Sequence, residues 1–277
     1  MEKINIYFNK GLSPMQPMME RTMCNYQEKI IPWNPCALKN SAVFYQFKTP
    51  PRVSHFDYPF YKVIPDACLD FLFSCDPNDN VAMFHGPGIT CKYVFLKPNQ
   101  LYFGVRPYCE KGYKKFSFSF AELINEAVPL DMLVPCEKIQ EDLIFAQSFE
   151  ERINIFLQFA KETLIDWDYH PDFLELSKVF ICHSKGNIPL EALAHTIGYS
   201  DRYLRKKFRE QYGISLKQYS RILRFQRSLH MLISPEHYSF LEIAHESGYY
   251  DQAHFIKEYQ KFLYCTPAEV RQEIIAF

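Results

Sequence analysis

Glycine is scarce, 9 in 277 residues, and tryptophan occurs twice. So little glycine leaves no room for a collagen-like repeat or a flexible low-complexity chain, and 48% hydrophobic with 17% aromatic residues describes packed cores. No apolar run approaches the roughly 18 residues of a membrane span. The N-terminal stretch MEKINIYFNKG has no continuous apolar segment, so the protein is expected in the cytoplasm and away from the membrane. No C-x-x-C pair and no zinc spacing occur among the nine cysteines, Cys24, Cys36, Cys68, Cys75, Cys91, Cys109, Cys136, Cys182 and Cys265. Reduced, mostly buried thiols are expected; Cys109, two residues before Lys111, is the one mild candidate for a reactive thiol.

Also missing are H-x-H, H-E-x-x-H, G-x-S-x-G and a phosphate-binding glycine loop. Catalysis therefore finds little support, and neither a cofactor nor a metal is expected. Asp66 and Asp70 form a pair of carboxylates in PDACLD, but that stretch falls at a turn entering a strand, where aspartate serves local hydrogen bonds. His85 in FHGPG reads as a turn-end side chain.

A formal net charge of −1 excludes a uniformly basic nucleic-acid binder, yet the charge is unevenly spread. Between positions 202 and 227 there are nine basic residues and one acid, Glu210. That run overlaps the stretch LEALAHTIGYSDRYLRKKF at 190–208, which reads as two short helices around a tight turn. Leu190, Leu193, Ala194 and Ile197 have helical spacing, Gly198 can end the helix in the left-handed conformation, and Ser200 can cap the next. Leu204 and Phe208 then face inward, leaving Arg202, Arg205, Lys206 and Arg209 outside.

The pattern recurs. Ile243, Ala244, Gly248, Phe255 and Tyr259 repeat Leu193, Ala194, Gly198, Leu204 and Phe208, with one extra residue in the second turn. A helix over 215–233, opened by Ser215 and Gln218, joins the units and spans roughly 28 Å, near the roughly 34 Å of one DNA turn. Two recognition helices on one side of a duplex fit that length.

The N-terminal half shows short apolar runs at 61–64, 68–74, 81–85, 91–96, 101–105 and 115–118, with a further strand at 42–48 in an otherwise irregular first fifty residues. Their spacing of about ten residues predicts an antiparallel barrel or sandwich of the kind that often holds a ligand. Helices are expected at 119–127, 136–145 and from Ser148 and Glu151 onward. The last carries Phe149, Ile153, Phe156, Leu157, Ala160 and Leu164 on one stripe, either for dimerisation and linkage or for packing on the barrel. DWDYHP at 166–171 reads as a hinge. Seven helices follow, the last opened by Thr266, Pro267 and Glu269.

Over about 172–274, the segments LEALAHTIGYSDRYLRKKFREQYGIS, RILRFQRSLHML and LEIAHESGYYDQAHFIKEYQKFLYCTP resemble the DNA-binding domain of the AraC/XylS family of bacterial transcription regulators. Leu216 stands where the family usually has proline, and Tyr264 where it has the glycine that ends the second recognition helix. IPDACLDFLF, FHGPG, FGVRPY and LINEAVPLDML resemble the β-rich sensor domain of one branch of that family.

The resemblance implies an α+β chain, with a cupin-like β-barrel or sandwich at 1–165 for sensing or dimerisation and an all-α double helix-turn-helix domain at 171–277. It implies double-stranded DNA as partner, a small-molecule effector, a homodimer and contact with RNA polymerase. Carried over by position, base-reading residues are Arg202, Arg205 and Lys206 in the first unit and Gln252, Ala253, Ile256 and Lys257 in the second. Ser200, Tyr203 and His254 read as caps, packing or phosphate contacts, and Arg209 and Asp251, with Ser200 and Tyr203, complete the candidate DNA-binding set. Arg106 in FGVRPY is the candidate charged ligand-pocket residue, with a structural ion pair as its other reading. The alternative functions are a β-barrel enzyme, or a protein-binding module for which the helical domain is a DNA anchor.

Overall fold

The computed structural model describes residues 16, 23–38, 40–51, 60–108, 112–114 and 119–275. Cys109, the run at 115–118 and the stretch MEKINIYFNKG lie outside them. A β-rich region comes first and a helical domain second.

The strands are β1 (Cys24–Pro32), β2 (Ser41–Lys48), β3 (Phe60–Val63), β4 (Asp70–Ser74), β5 (Ala82–His85), β6 (Lys92–Phe95), β7 (Leu101–Pro107) and β8 (Ala127–Pro129). All pair antiparallel, in a six-stranded sheet ordered β1-β2-β7-β4-β5-β8 and a two-stranded sheet β3-β6. Side-chain alternation gives the large sheet two apolar faces. Phe44, Phe71, Phe73, Phe84 and Phe103 point to one face and are fully buried. Val43, Tyr45, Phe47 and Tyr102 point to the other, where they meet Tyr61 and Leu96 from the β3-β6 side. The result is an open sandwich.

The helices of this region are α1 (Glu137–Phe145) and α2 (Phe149–Phe159), the latter running into a π turn at Ala160–Leu164. Ser148 caps α2 by accepting from Glu151 N. Of the two readings of its apolar stripe, packing holds. Phe156 is wholly buried among Trp33, Phe44, Phe71, Phe73 and Phe103, with ring centroids 5.5–6.4 Å away, so that face is covered by the sheet.

Two expectations for this half are corrected. The first fifty residues include a nine-residue strand, β1, at the edge of the large sheet. Most of its side chains are exposed, which explains the lack of a period-two apolar signal. Residues 119–127 form successive turns and then β8, not a helix. Asn125 takes a left-handed backbone (φ +59°), and its Oδ1 accepts from Ile89 N at 2.8 Å, so bonds to the neighbouring loop replace the helical ladder.

The hinge stretch is fastened at both ends. Asp166 N donates to Gly112 O at 2.9 Å, and Tyr169 OH donates to Glu175 at 2.7 Å. Beyond it lie α3 (Phe173–His183), α4 (Leu190–Ile197), α5 (Asp201–Tyr212), α6 (Leu216–Ile233), α7 (Phe240–Glu246), α8 (Gln252–Leu263) and α9 (Pro267–Ile275). Leu193, Leu204, Phe208, Ile222, Phe225, Ile243, Phe255 and Tyr259 are fully buried in one core, which Ile64, Ala67 and Cys91 of the β region enter. Gln226 on α6 donates to Pro65 O at 2.8 Å across the same boundary. Among the described residues, no helix is long and apolar enough to cross a membrane.

Candidate nucleic-acid interface and cavity

In both units a glycine in the left-handed region makes the turn, Gly198 at φ +80° and Gly248 at φ +76°, where a Cβ would be strained. The following helix is then capped, α5 by Ser200 accepting from Tyr203 N at 3.3 Å and α8 by Asp251 accepting from His254 N at 2.6 Å. The caps commit the side-chain oxygens of Ser200 and Asp251 to the backbone. Arg202, Arg205, Lys206 and Arg209 are exposed along α5, on the side away from Leu204 and Phe208. Arg205 Nε lies 2.8 Å from Asp201, and Glu210 receives Lys207 at 2.8 Å and Lys206 at 3.8 Å. Arg202 and Arg209 make no ion pair among the described residues. Tyr203 stacks on Tyr199, which lies 4.3 Å centroid to centroid from Phe173, so its ring ties α5 to α3.

On α8, Gln252, Ala253 and Lys257 are exposed while Ile256 is half-buried against the core. His254 Nδ1 accepts from Tyr250 N, turning the imidazole back toward the turn. Tyr250 is the extra residue of the second turn and is 93% exposed. No apolar periodicity marks it; the register shift between the repeats is the signal that locates it.

The basic run from 202 to 227 divides in two. Arg221, Arg224 and Arg227 follow at three-residue spacing on α6 and reach the second unit: Arg221 Nε to Glu258 at 2.9 Å, Arg224 to Gly248 O at 3.3 Å, and Arg227 to Glu246 at 3.7 Å. Three charges thus fix α7 and α8 against the linking helix, and the part of the run that faces outward is correspondingly smaller.

A cavity of about 380 Å³ lies between the two sheets of the β region. Its walls are largely apolar, with Val63, Leu72, Val81, Met83, Val94 and Leu96, and its polar end holds Tyr45, Asp66, Asp70, His85, Lys92 and Arg106. The ion-pair reading of Arg106 is the one seen, in a side chain that also borders the cavity. It lines the cavity and is ion-paired, Nε lying 2.9 Å from Asp70 and 3.4 Å from Asp66, with its guanidinium 5.5 Å from the Tyr45 ring centroid. Tyr45 OH donates to Asp70 at 2.7 Å. The Tyr45 ring lies across Gly104, where a Cβ would fall 2.1 Å from Cζ. Burial pushes the Asp70 carboxyl up, against the pull of Arg106; Arg106 itself is held charged by Asp70 and Asp66 despite its burial.

Two sequence readings change here. Asp66 does make the local bond expected, accepting from Cys68 N at 2.9 Å, but both carboxylates also converge on Arg106. His85 lines the cavity instead of ending a turn. Its Nε2 is enclosed and has no hydrogen-bond partner among the described residues, and burial, with help from Lys92 and Arg106, lowers its pKa from 6.5 to about 3.

The model of a helix-turn-helix domain family matches residues 193–273. Those residues form an AraC/XylS-type helix-turn-helix domain. The Msm operon regulatory protein of Streptococcus mutans is 30% identical over 96 residues, 34% of this chain and 34% of its own. An uncharacterized response regulatory protein of Staphylococcus epidermidis is 28% identical over 91 residues, 33% of this chain and 36% of its own. The match thus spans about a third of the length of these curated relatives. Among solved structures, the DNA-binding domain of AdpA in complex with a target DNA is 22% identical, covering 38% of this chain and 96% of its own with a TM-score of 0.35. ToxT from Vibrio cholerae O395 is 13% identical, covering 92% and 96% with a TM-score of 0.43.

Within the AraC/XylS-type domain, the departure at Tyr264 is accommodated locally. Tyr264 itself adopts the left-handed conformation, φ +61°, and closes α8 where glycine would. Leu216 is the first residue of α6 and is buried, so the position that tolerates proline contributes packing instead.

Proposed function

We propose that this protein is a sequence-specific DNA-binding transcription regulator controlled by a small molecule in the β-region cavity. The observation that carries the reading is the duplicated unit: two capped helices with outward polar faces, α5 and α8, held on one linking helix by the Arg221, Arg224 and Arg227 clamp. Each would enter a major-groove segment. Arg202, Arg205 and Lys206 supply guanine-directed donors, and Gln252 and Ala253 supply adenine- and thymine-directed contacts. Lys257 reaches base edges or phosphate, Ile256 meets a base only through its exposed edge, and Arg209 serves phosphate.

The division at 1–165 and 171–277, a homodimer, contact with RNA polymerase and a place in the cytoplasm belong to the same proposal. An enzymatic role is not part of it.

Arg205 tests the assignment. Arg205→Ala should weaken binding to the preferred site, found by footprinting the full chain, by about 1–3 kcal/mol and relax selection at one or two base pairs. Equal weakening on specific and random DNA would remove α5 from base reading.

A further inference from the structure

The two reading helices differ in what they offer a phosphate chain. α5 has Arg209, exposed and without an ion pair among the described residues. The entrance to α8 has no such charge: residues 249–256 read YYDQAHFI, with neither lysine nor arginine. Its other polar groups are largely committed to the turn. Asp251 caps α8 by accepting from His254 N at 2.6 Å, and His254 Nδ1 accepts from Tyr250 N at 3.4 Å. A helix that enters a groove passes between two rows of phosphates, and donors toward them fix its register; arginine and lysine are the usual ones, and hydroxyls also serve.

The two tyrosines of this turn have opposite surroundings. Tyr249 is buried, its hydroxyl 3.4 Å from Ser228 Oγ and its ring 5.4 Å centroid to centroid from Phe255. Tyr250 is almost wholly exposed. It stands one residue before the cap of α8, on a backbone held on one side by the buried Tyr249 and on the other by the bond to His254. A tyrosine so placed presents an apolar ring with a hydroxyl at its tip, a pairing suited to an interface where one end is packed and the other bonds to a polar partner.

We propose that Tyr250 anchors the second unit on DNA: its phenol hydroxyl donates to a backbone phosphate at the edge of the groove that α8 enters, and so sets the depth and register of that helix. The inference rests on the DNA-binding reading above and adds a contact made without charge. Tyr250 is a positioning residue; Gln252 and Ala253, one and two residues beyond the cap, remain the base readers of this unit.

The experiment is fluorescence anisotropy of the full chain with the duplex found by footprinting and with duplexes changed at single base pairs, over a range of salt concentrations. Tyr250→Phe removes one oxygen from an exposed ring. It should weaken binding to every duplex by the same factor, about three- to tenfold, as expected for one hydrogen bond, and leave the log–log salt slope unchanged because no charge is lost. Tyr250→Lys places a cation at the same point and should steepen that slope by about one. If Tyr250→Phe binds as tightly as the unmodified chain, or Tyr250→Lys leaves the slope where it was, the anchor is overturned. A loss confined to duplexes sharing one base pair overturns it too, since Tyr250 would then read a base. In each of these cases the DNA-binding reading stands. If the unmodified chain binds no duplex, both readings fall.

Discussion

Tyr264 shows how a single residue can disagree with its position and still occupy it. A left-handed backbone costs a residue with a Cβ roughly 1–2 kcal/mol relative to glycine, and this tyrosine is 71% exposed, so it recovers little by packing. Tyr264→Gly should raise unfolding stability by about 1 kcal/mol in urea melts, reduced somewhat by the greater freedom of glycine in the unfolded chain. His85 carries the opposite kind of tension. Its pKa is about 3 when folded and 6.5 when unfolded, so between those values the unfolded chain binds the extra proton. Stability therefore rises with pH across that window and is lost as pH falls from 6.5 toward 3. His85→Phe should flatten that limb when stability is measured by urea melts from pH 7 to pH 4; an unchanged slope would mean that His85 is protonated in the folded state. The Tyr264 departure was legible in the sequence, through the resemblance; the setting of His85 was not. FHGPG gives His85 the context of a turn, and only the pairing of β5 with β4 and β8 turns its ring into the chamber.

At the scale of elements, the helix-turn-helix units were legible because glycine, cap and buried pair recur at nearly fixed intervals, and each of those signals depends on local chemistry alone. The fate of Arg221, Arg224 and Arg227 was not. Their spacing shows a shared face of α6, but whether that face meets phosphate or protein depends on where α7 and α8 fold back. Arg227 now has a stated partner in Glu246 and a side chain only 16% exposed. Arg227→Ala should consequently lower the melting temperature and leave the log–log salt slope of DNA binding unchanged, whereas Arg209→Ala, at the proposed phosphate contact, should reduce that slope by about one. The strands were readable where both faces are packed; β1 was hidden because an edge strand exposes most of its side chains.

For the whole molecule, the sequence indicates two halves and says little about their contact, since contacts between distant segments leave no local period. Residues 171–277 contain most of their own core, so the isolated fragment should give a helical circular-dichroism spectrum and melt cooperatively. It should do so at a lower temperature than the intact chain, because Ile64, Ala67 and Cys91 no longer cover it. One part of the contact is a single short segment. Pro65 accepts from Gln226 on the linking helix, the next residue, Asp66, lies against Arg106 in the cavity wall, and Ala67 holds a left-handed backbone at φ +55° while buried in the helical core. Three consecutive residues thus touch both the cavity wall and the linking helix that carries α5 and α8. If the proposed effector shifts DNA affinity through this segment, thermodynamic reciprocity makes the traffic two-way: DNA should alter the cavity's affinity for its occupant by the same factor as the occupant alters the affinity for DNA.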